Sequence, residues 1–288
     1  MEYRMMAFPG FCKKAITLSY DDGINFDRRL IEIMVKNGLK GTFNINSGFL
    51  GCNEVLSADR QRVLPEELPA LYEDNGMEIA VHGVKHLSLP RYDGAIQMKE
   101  VLDDREALEK MFGTVVKGMA YAMGAYDDDV VRRLKECGIE YARTVVSTEK
   151  FDIPTDWLRL PATCHHNNPR LMELLDQFLA GENSYQAKHF GPAPLLFYLW
   201  GHSYEFHDND NWEVIEKFAE KAGGREDVWY ATNGEIYEYV KAFEALRYSV
   251  SGEYIHNPSA IDVYLEYRGK QQLVPSGKTV KSNIPISG

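Results

Sequence analysis

Cysteine is scarce in this sequence, and the few cysteines follow no pairing pattern. The 288 residues include Cys12, Cys52, Cys137 and Cys164, and no two of them have CxxC spacing. Disulfide-stapled domains and zinc knots need numerous or closely spaced cysteines. We therefore expect free thiols in a reducing compartment.

Long apolar runs and clusters of basic residues are also missing. No segment approaches the roughly 20 apolar residues of a membrane span. Residues 1–14 carry several charges and no apolar run, unlike a signal peptide. We expect a cytoplasmic protein, although a chain that had lost its export signal would look the same. The formal charge of -11 argues against a nucleic acid partner, and we expect no membrane partner either.

Short β-type runs alternate with amphipathic helical stretches along most of the chain. The predicted strands are residues 15–20, 41–46, 77–81, 115–121, 140–145, 195–200 and 228–231. The predicted helices are residues 25–37, 65–75, 95–112, 127–138, 212–222 and 234–246, with another that opens at Asn168 and Pro169. This alternation predicts an α/β fold with a parallel sheet closed into a barrel. We expect the barrel domain to span residues 1–246 and a small β-rich appendage to span residues 247–288.

Carboxylates and imidazoles follow three of the predicted strands. Asp21 and Asp22 follow the first strand, His82 and His86 follow the third, and His202 follows the strand at residues 195–200. Parallel α/β folds build their sites at the carboxyl ends of the strands. We therefore expect these five side chains to meet at one end of the barrel.

The spacing of His82 and His86 is typical of a metal site. Two imidazoles four residues apart lie on one face of a helical turn, where they can share one ion. One added carboxylate completes a three-ligand set with a coordination position open for water. The alternative is a capping or solvated pair, but the neighbouring aspartates favour the metal.

Asp21, Asp22 and His202 are candidates for proton chemistry. Two adjacent carboxylates repel each other unless a cation or a proton separates their roles, so one can bind metal while the other accepts a proton. An Asp-Asp-Gly turn that caps the next helix is the alternative. His202 could protonate a leaving group, or it could be a hydrogen-bonded structural residue.

Four segments, taken in order, resemble the polysaccharide deacetylase family, also called the NodB-homology fold or carbohydrate esterase family 4. They are Tyr20-Asp21-Asp22-Gly23, His82-Gly83-Val84-Lys85-His86, Gly124-Ala125-Tyr126-Asp127 and Trp200-Gly201-His202. The resemblance covers residues 15–246 and implies a distorted, incomplete (β/α)7-type barrel. It also implies a metal-dependent hydrolase that removes acetyl groups from an N-acetylated or O-acetylated saccharide.

The resemblance gives each residue a role. Asp21 matches the catalytic base and His202 the general acid. Asp22, His82 and His86 match the ligands of a divalent metal, most often zinc, with cobalt, nickel or manganese as alternatives. The residues implied to contact the substrate are Tyr121, Gly124, Tyr126, Trp157 and Trp200, and Trp157 would form a wall of the acetyl pocket.

The sequence departs from the family pattern at two places. The family has an Arg-Pro-Pro segment whose arginine pairs with the catalytic aspartate, whereas this chain reads Ala120-Tyr121-Ala122-Met123-Gly124. Arg143 or Arg159 could replace that arginine. Trp200 stands where the family has leucine, unless one residue is inserted after Leu199, and either change alters the acyl pocket.

The histidine-rich segment Cys164-His165-His166-Asn167-Asn168 has two possible roles. It could line the site, since it follows the strand-like residues 158–161. A helix-capping or surface loop ahead of Pro169 is the interpretation that we favour from sequence.

Two other functions remain open at this stage. The same fold and metal could hydrolyse a C–N bond in a small cyclic amide or ureide, which would suit a cytoplasmic protein with an altered third motif. An inactive relative could bind carbohydrate only, but such a protein would be expected to have lost metal ligands, and Asp22, His82 and His86 are all present.

Overall fold

Strands and helices alternate through most of the chain in this computed structural model, which describes residues 3–51 and 60–284. The strands are β1 Met6–Ala7, β2 Lys14–Asp21, β3 Gly41–Ile45, β4 Glu78–Val81, β5 Gly118–Ala120, β6 Tyr141–Ser147, β7 Leu160–Ala162, β8 Cys164–His165, β9 Leu195–Gly201, β10 Val228–Tyr230, β11 Arg247–Tyr248, β12 Tyr254–His256, β13 Val263–Tyr267, β14 Lys270–Val274 and β15 Thr279–Lys281. The α-helices are α1 Asp27–Lys36, α2 Gly94–Phe112, α3 Asp128–Glu136, α4 Leu171–Ala180, α5 Tyr185–Phe190, α6 Ser203–Asp208, α7 Glu213–Ala222 and α8 Asn233–Glu244. Short 3-10 helices lie at Tyr3–Met5, Pro9–Phe11, Ser47–Phe49, Pro65–Glu67, Leu89–Arg91, Ala122–Gly124 and Trp157–Arg159, and a π-helical turn lies at Pro69–Glu73.

The parallel strands form a closed ring. Their order is β7-β6-β5-β4-β3-β2-β9-β8, with β10 beside the start of β2. The two ends of this order, β7 and β8, are consecutive in the chain, and Thr163 between them donates its N–H to Tyr198 O at 2.9 Å. The segment from β7 to β8 therefore pairs with β6 at its start and with β9 at its end. The predicted distorted (β/α)7-type barrel is confirmed.

One predicted helix is wrong, and two short helices were not predicted. Residues 65–75 form a 3-10 turn at Pro65–Glu67 and a π-helical turn at Pro69–Glu73 instead of an α-helix. Pro69 has no N–H to donate to the carbonyl of residue 65, so the regular α-helical ladder cannot form across it. The unpredicted helices α5 and α6 have 6 residues each, too few to show a helical period.

Antiparallel strands form the predicted C-terminal β region. They make two three-stranded sheets, β1-β13-β14 and β11-β12-β15. The first sheet includes the N-terminal strand β1, in which Met6 pairs with Leu265. Tyr239 of α8 accepts the N–H of Tyr264 at 3.0 Å, which ties the barrel's last helix to this sheet. The division at residues 246 and 247 stays a prediction, and the N-terminus contributes to the sheet beyond it.

Two further expectations from sequence concern the cysteine thiols and the length and apolar character of the helices. Cys12, Cys137 and Cys164 are free, and Cys52 lies outside the described residues. Within residues 3–51 and 60–284, no helix combines the length and apolar character needed to cross a bilayer.

Side chains of the barrel strands alternate between two packing faces. In β2, Ile16, Leu18 and Tyr20 belong to the hydrophobic cluster that also contains residues of the helices α1, α4 and α7. Ala15 belongs to a second cluster with residues of α8. Because successive side chains of a strand point to opposite faces, Asp21 lies on the same face as Ala15, at the carboxyl end of the strand.

A buried carboxyl group joins α1 to its neighbours. Asp27 has no exposed surface, and it accepts hydrogen bonds from Tyr72 Oη at 2.7 Å and Ser203 Oγ at 2.5 Å. Burial outweighs these hydrogen bonds and raises the pKa of Asp27 to about 7. The folded protein therefore retains a proton that the unfolded chain releases near pH 4.

We predict that Asp27 makes the folded state less stable as the pH rises. Between pH 4 and 7 the folded state binds more protons than the unfolded state, so stability falls across this window and levels off above it. The loss between pH 5 and pH 8 should be about 2–3 kcal/mol in urea unfolding, and Asp27→Asn should remove it. The exposed Asp74→Asn should leave the pH dependence unchanged. An unaltered dependence in Asp27→Asn would contradict the assignment.

Candidate active site

Two adjacent carboxylates occupy the carboxyl end of β2. Asp21 is 3% exposed, and its Oδ1 accepts a hydrogen bond from Asn44 Nδ2 at 2.9 Å. Asp22 has φ of 86°, a left-handed conformation that non-glycine residues seldom adopt. Such backbone conformations concentrate at functional sites. The turn gives the two neighbouring carboxylates different surroundings, because Asp21 is buried and Asp22 is partly exposed.

Arg143 of β6 supplies the cation that the third motif lacks. Its guanidinium is buried, donates from Nη2 to Asp21 Oδ2, and lies 4.4 Å from the centroid of the Trp200 ring. Arg159 instead pairs with Asp156 at 2.7 Å near the surface. Of the two candidates from sequence, Arg143 is therefore the one that contacts the aspartate.

The charge state of Asp21 depends on its neighbours. Burial by itself raises the pKa of this carboxyl, but the cationic Arg143 and the imidazoles of His82 and His202 outweigh burial and hold the pKa at about 2. Asp21 is therefore ionised at neutral pH and free to accept a proton.

The segment from His82 to His86 is a loop and not the helical turn that the spacing predicts. His86 has φ of 54°, and Gly83 has φ of 85°. The backbone N–H groups of His82 and Gly83 donate to Asp104 Oδ2 of α2 at 3.0 Å and 2.9 Å. A buried carboxylate thus replaces helical hydrogen bonds, and the two imidazole rings still lie 4.7 Å apart.

Asp22, His82 and His86 fit a divalent metal ion. One ligand atom from each lies within 4.8 Å of the others, and His82 Nε2 is 3.8 Å from Asp22 Oδ1. His82 Nδ1 lies 2.9 Å from Ala120 O and donates its hydrogen there, so Nε2 keeps a free lone pair. That Nε2 atom is buried, and no residue among 3–51 and 60–284 forms a hydrogen bond with it. Two nitrogen ligands and one oxygen ligand form a set that zinc commonly takes.

His202 lies beside the same aspartate, directly after β9. Its Nε2 is 3.8 Å from Asp21 Oδ2, and its Nδ1 is 3.2 Å from Glu205 Oε2. Burial alone would lower the pKa of His202, but the hydrogen bond to Glu205 and the charges of Asp21 and Asp22 raise it. An imidazole held in this way can carry a proton to a group bound next to Asp21.

Sequence reasoning missed Glu205 and undervalued the histidine-rich segment. His165 Nε2 and His166 Nε2 lie 3.1 Å and 3.2 Å from Glu205 Oε2. Asn168 does not cap α4, whose N-cap residue is Arg170 and has no side-chain cap. The Oδ1 atom of Asn168 accepts the N–H of Arg170 at 2.8 Å, which forms a turn ahead of the helix. The available signal for Glu205 was its position three residues after His202, which is typical of a capping box.

The third motif forms a tight turn beside Arg143. Tyr121 is buried, and its hydroxyl donates to Leu158 O at 2.7 Å, while the Tyr126 ring stacks on it at 4.8 Å. Gly124 has φ of 65°, a conformation that favours glycine. The side chain of Tyr121 thus serves the fold. The substrate contacts expected of Tyr121, Gly124 and Tyr126 stay predictions.

The two tryptophans assigned to the acyl pocket have different surroundings. Trp157 packs edge-on against Tyr237 of α8 at 5.2 Å, so its place in the pocket wall stays a prediction. Trp200 lies against Arg143 and the His165 ring, the latter at 4.5 Å. Trp200 is thus next to the carboxylate and imidazole groups, where it covers the guanidinium of Arg143.

Comparison with known families adds to this geometry. Residues 10–142, which carry both aspartates, both metal-site histidines and the third motif, match the family model of polysaccharide deacetylases. The resemblance to the polysaccharide deacetylase family is confirmed. The family match ends before Arg143, so the residues from Arg143 to His202 extend the site beyond it. A search of curated protein sequences gives no match.

Solved structures with similar folds include several members of the polysaccharide deacetylase family. A candidate polysaccharide deacetylase from Mycobacterium smegmatis has a TM-score of 0.55 and 16% identity, and the match covers 83% of this chain and 94% of that one. A Streptococcus pyogenes deacetylase in complex with acetate has a TM-score of 0.46 and 21% identity over 56% and 68% of the two chains. A carbohydrate esterase family 4 pseudoenzyme from Bacillus anthracis has a TM-score of 0.49 and 14% identity over 81% and 68%. The first of these supports the fold.

We predict that Arg143 and Arg159 differ sharply in their effect on stability. Arg143→Met leaves the buried Asp21 charge unpaired and should lower the free energy of unfolding by about 3–5 kcal/mol. Arg159→Met removes a partly exposed ion pair and should cost less than about 1 kcal/mol. Urea unfolding of both variants measures the difference.

A double variant checks the cause of the loss. Adding Asp21→Asn to Arg143→Met removes the unpaired charge, so it should restore part of the lost stability. Equal destabilisation by the two arginine variants, or no recovery in the double variant, would contradict the pairing of Arg143 with Asp21.

Proposed function

We propose that this protein is a metal-dependent hydrolase that removes acetyl groups from an N-acetylated or O-acetylated saccharide. The observation that carries the proposal is the convergence of Asp22, His82 and His86 beside a second carboxylate, Asp21, which Arg143 keeps ionised. The match of residues 10–142 to the family model of polysaccharide deacetylases supports the choice of substrate class.

Asp22, His82 and His86 would hold the metal. The hydrogen bond from His82 Nδ1 to Ala120 O fixes the ring so that its free Nε2 is the ligand atom. A divalent ion held there, zinc for this donor set or else cobalt, nickel or manganese, would polarise an acyl carbonyl and would lower the pKa of a bound water molecule. The backbone carbonyl of Ala120 thus holds the His82 ring in the orientation that a metal ligand needs.

Asp21 serves as the base in this proposal. Asn44 holds Oδ1 and Arg143 holds Oδ2, so the carboxylate keeps one orientation. The ionised carboxylate takes a proton from the water that attacks the acyl carbon. Arg143 limits how basic Asp21 is, and the fixed position of the carboxylate compensates by aligning it with the incoming water.

His202 serves as the acid. Its Nδ1 faces Glu205, which leaves Nε2 on the side of Asp21, 3.8 Å from Oδ2. From that position Nε2–H can protonate the nitrogen or oxygen that leaves when the acyl bond breaks. Despite burial, the hydrogen bond to Glu205 and the charges of Asp21 and Asp22 raise the pKa of His202, which favours the protonated ring.

The retention of the complete set argues for an active enzyme. Asp21, Asp22, His82, His86 and His202 are all present. Hydrogen bonds orient the side chains of Asp21, His82 and His202, and the ligand atoms of Asp22, His82 and His86 lie within 4.8 Å of one another. A chain that only bound carbohydrate would have no need for a buried His82 Nε2 that finds no hydrogen-bond partner within the described part of the chain.

We predict that the purified protein binds about one divalent ion per chain at this site. His82→Gln removes the ligand atom at Nε2 and should abolish binding, measured by elemental analysis after dialysis against zinc. His189→Gln, which changes a histidine of α5 that contacts Tyr185, should retain the ion. Equal metal content in the two variants would contradict the ligand assignment.

We further predict acetate release from acetylated oligosaccharides. A chelator should abolish it, and zinc or cobalt should restore it. Asp21→Asn should lower kcat by about 10²–10⁴-fold, because the base is lost, while the metal content stays unchanged.

The reaction products separate the proposal from its main competitor. Ammonia or a ring-opened product from a cyclic amide, without acetate release from any saccharide, would contradict the proposed substrate class. Full activity of Asp21→Asn would contradict the assigned base.

A further inference from the structure

A second group of histidines surrounds the carboxylate of Glu205. Oε2 of Glu205 lies 3.1 Å from His165 Nε2, 3.2 Å from His166 Nε2 and 3.2 Å from His202 Nδ1. We call these four residues the Glu205 cluster. Their types are those of a metal site, and the ligand atoms of His165, His166 and Glu205 lie within 4.8 Å of one another.

The tautomer of His165 argues against a second metal ion. The backbone N–H of Asn167 donates to His165 Nδ1 at 3.1 Å, so this nitrogen carries no hydrogen. A neutral imidazole has one N–H, which must then be at Nε2, the atom that faces Glu205. A protonated nitrogen cannot bind metal. His165 therefore presents a hydrogen, and not a lone pair, to the carboxylate.

The buried imidazole of His166 and the carboxylate of Glu205 have fixed positions in the Glu205 cluster. His166 has 1% exposure and lies between Phe206, at 4.1 Å, and Tyr20, at 5.8 Å between ring centroids. Burial would raise the pKa of Glu205, but the contacts with His165, His166 and His202 outweigh it and hold the pKa well below its usual range. Glu205 is therefore a permanent carboxylate with a fixed position.

We propose that Glu205 is a positioning residue that holds His202 in the tautomer with hydrogen on Nδ1 and directs Nε2 toward Asp21. The proposal rests on the proposed function of His202 as general acid. The protonated ring gives the Nε2 proton to the leaving group and becomes neutral. Its Nδ1 keeps its hydrogen and still donates it to Glu205 in a hydrogen bond. Without Glu205 the neutral ring would divide between two tautomers, and only one of them presents a bare Nε2 for the next proton.

A purely structural role for Glu205 is the competing explanation. Glu205 also accepts the backbone N–H of His202 at 3.2 Å, as the third residue of a capping box at the start of α6. The chain contains a matched box at the start of α8, where Glu235 accepts the N–H of Thr232 at 2.8 Å. Glu235 pairs with Lys40 at 2.6 Å, so it has the same capping function without the imidazoles.

The test compares Glu205→Gln with Glu235→Gln in the metal-loaded protein. Glutamine can still accept the capping N–H, so both variants should have similar thermal unfolding. Glu205→Gln should lower kcat for acyl release about 10²-fold and leave KM within about twofold, because the acid is misaligned in the transition state. Glu235→Gln should change neither value.

Nitrogen NMR of the His202 ring, at a pH high enough for the ring to be neutral, gives a readout that needs no substrate. The neutral wild-type ring should be the single tautomer with hydrogen on Nδ1, and Glu205→Gln should show a mixture, while Glu235→Gln keeps the wild-type signal. This result stands even if no acyl release is found, which would count against the proposed function alone. An unchanged His202 tautomer and kcat in Glu205→Gln would overturn the proposal, as would a second metal ion that is lost in His165→Gln.

Discussion

The negative charge of Asp21, held where water has little access, is the constraint on which the site depends. An isolated buried carboxylate is costly by several kcal/mol, so a cation must lie against it. Arg143 satisfies this requirement from β6, and Trp200 covers the guanidinium. The imidazoles of His82 and His202 then lie at equal distances of 3.8 Å from Asp21 Oδ2. The imidazoles that we propose for metal binding and proton transfer thus both lie beside the ion pair of Asp21 and Arg143.

Closure of the barrel makes this ion pair possible. In the sheet order, β6 is four strands away from β2, which in a flat sheet would be about 19 Å at the usual strand spacing. No arginine side chain spans that distance, so Arg143 reaches Asp21 only because the sheet curves into a ring. The segment Leu160–Ala162 and Cys164–His165 closes the ring, and the same segment delivers His165 and His166 to Glu205.

Most strands of the barrel and the main candidate site residues could be predicted from sequence, because both depend on local patterns. Runs of apolar residues predicted the strands, and their carboxyl ends predicted where Asp21, His82 and His202 lie. The choice between Arg143 and Arg159 as the partner of Asp21 could not be made from sequence, since an arginine within a strand has no visible partner until the ring is closed. The loop at His86 was missed because the buried carboxylate of Asp104 accepts the backbone N–H groups that a helical turn would use. The broken helix at Pro69 was missed because the apolar periodicity continues across a residue that has no N–H to donate.

Two histidine clusters of similar composition have different chemistry, and the second nitrogen of each ring accounts for the difference. His82 gives the hydrogen of its Nδ1 to a carbonyl, Ala120 O, so the nitrogen that faces Asp22 has a free lone pair. His165 accepts a hydrogen from the Asn167 N–H, so the nitrogen that faces Glu205 carries a hydrogen. One backbone group thus leaves the first ring a lone pair that suits a metal ion, and the other leaves the second ring with a hydrogen on the nitrogen that faces the carboxylate. Proximity of histidines and carboxylates is therefore insufficient to assign a metal site, and the partner of the remote nitrogen has to be identified first.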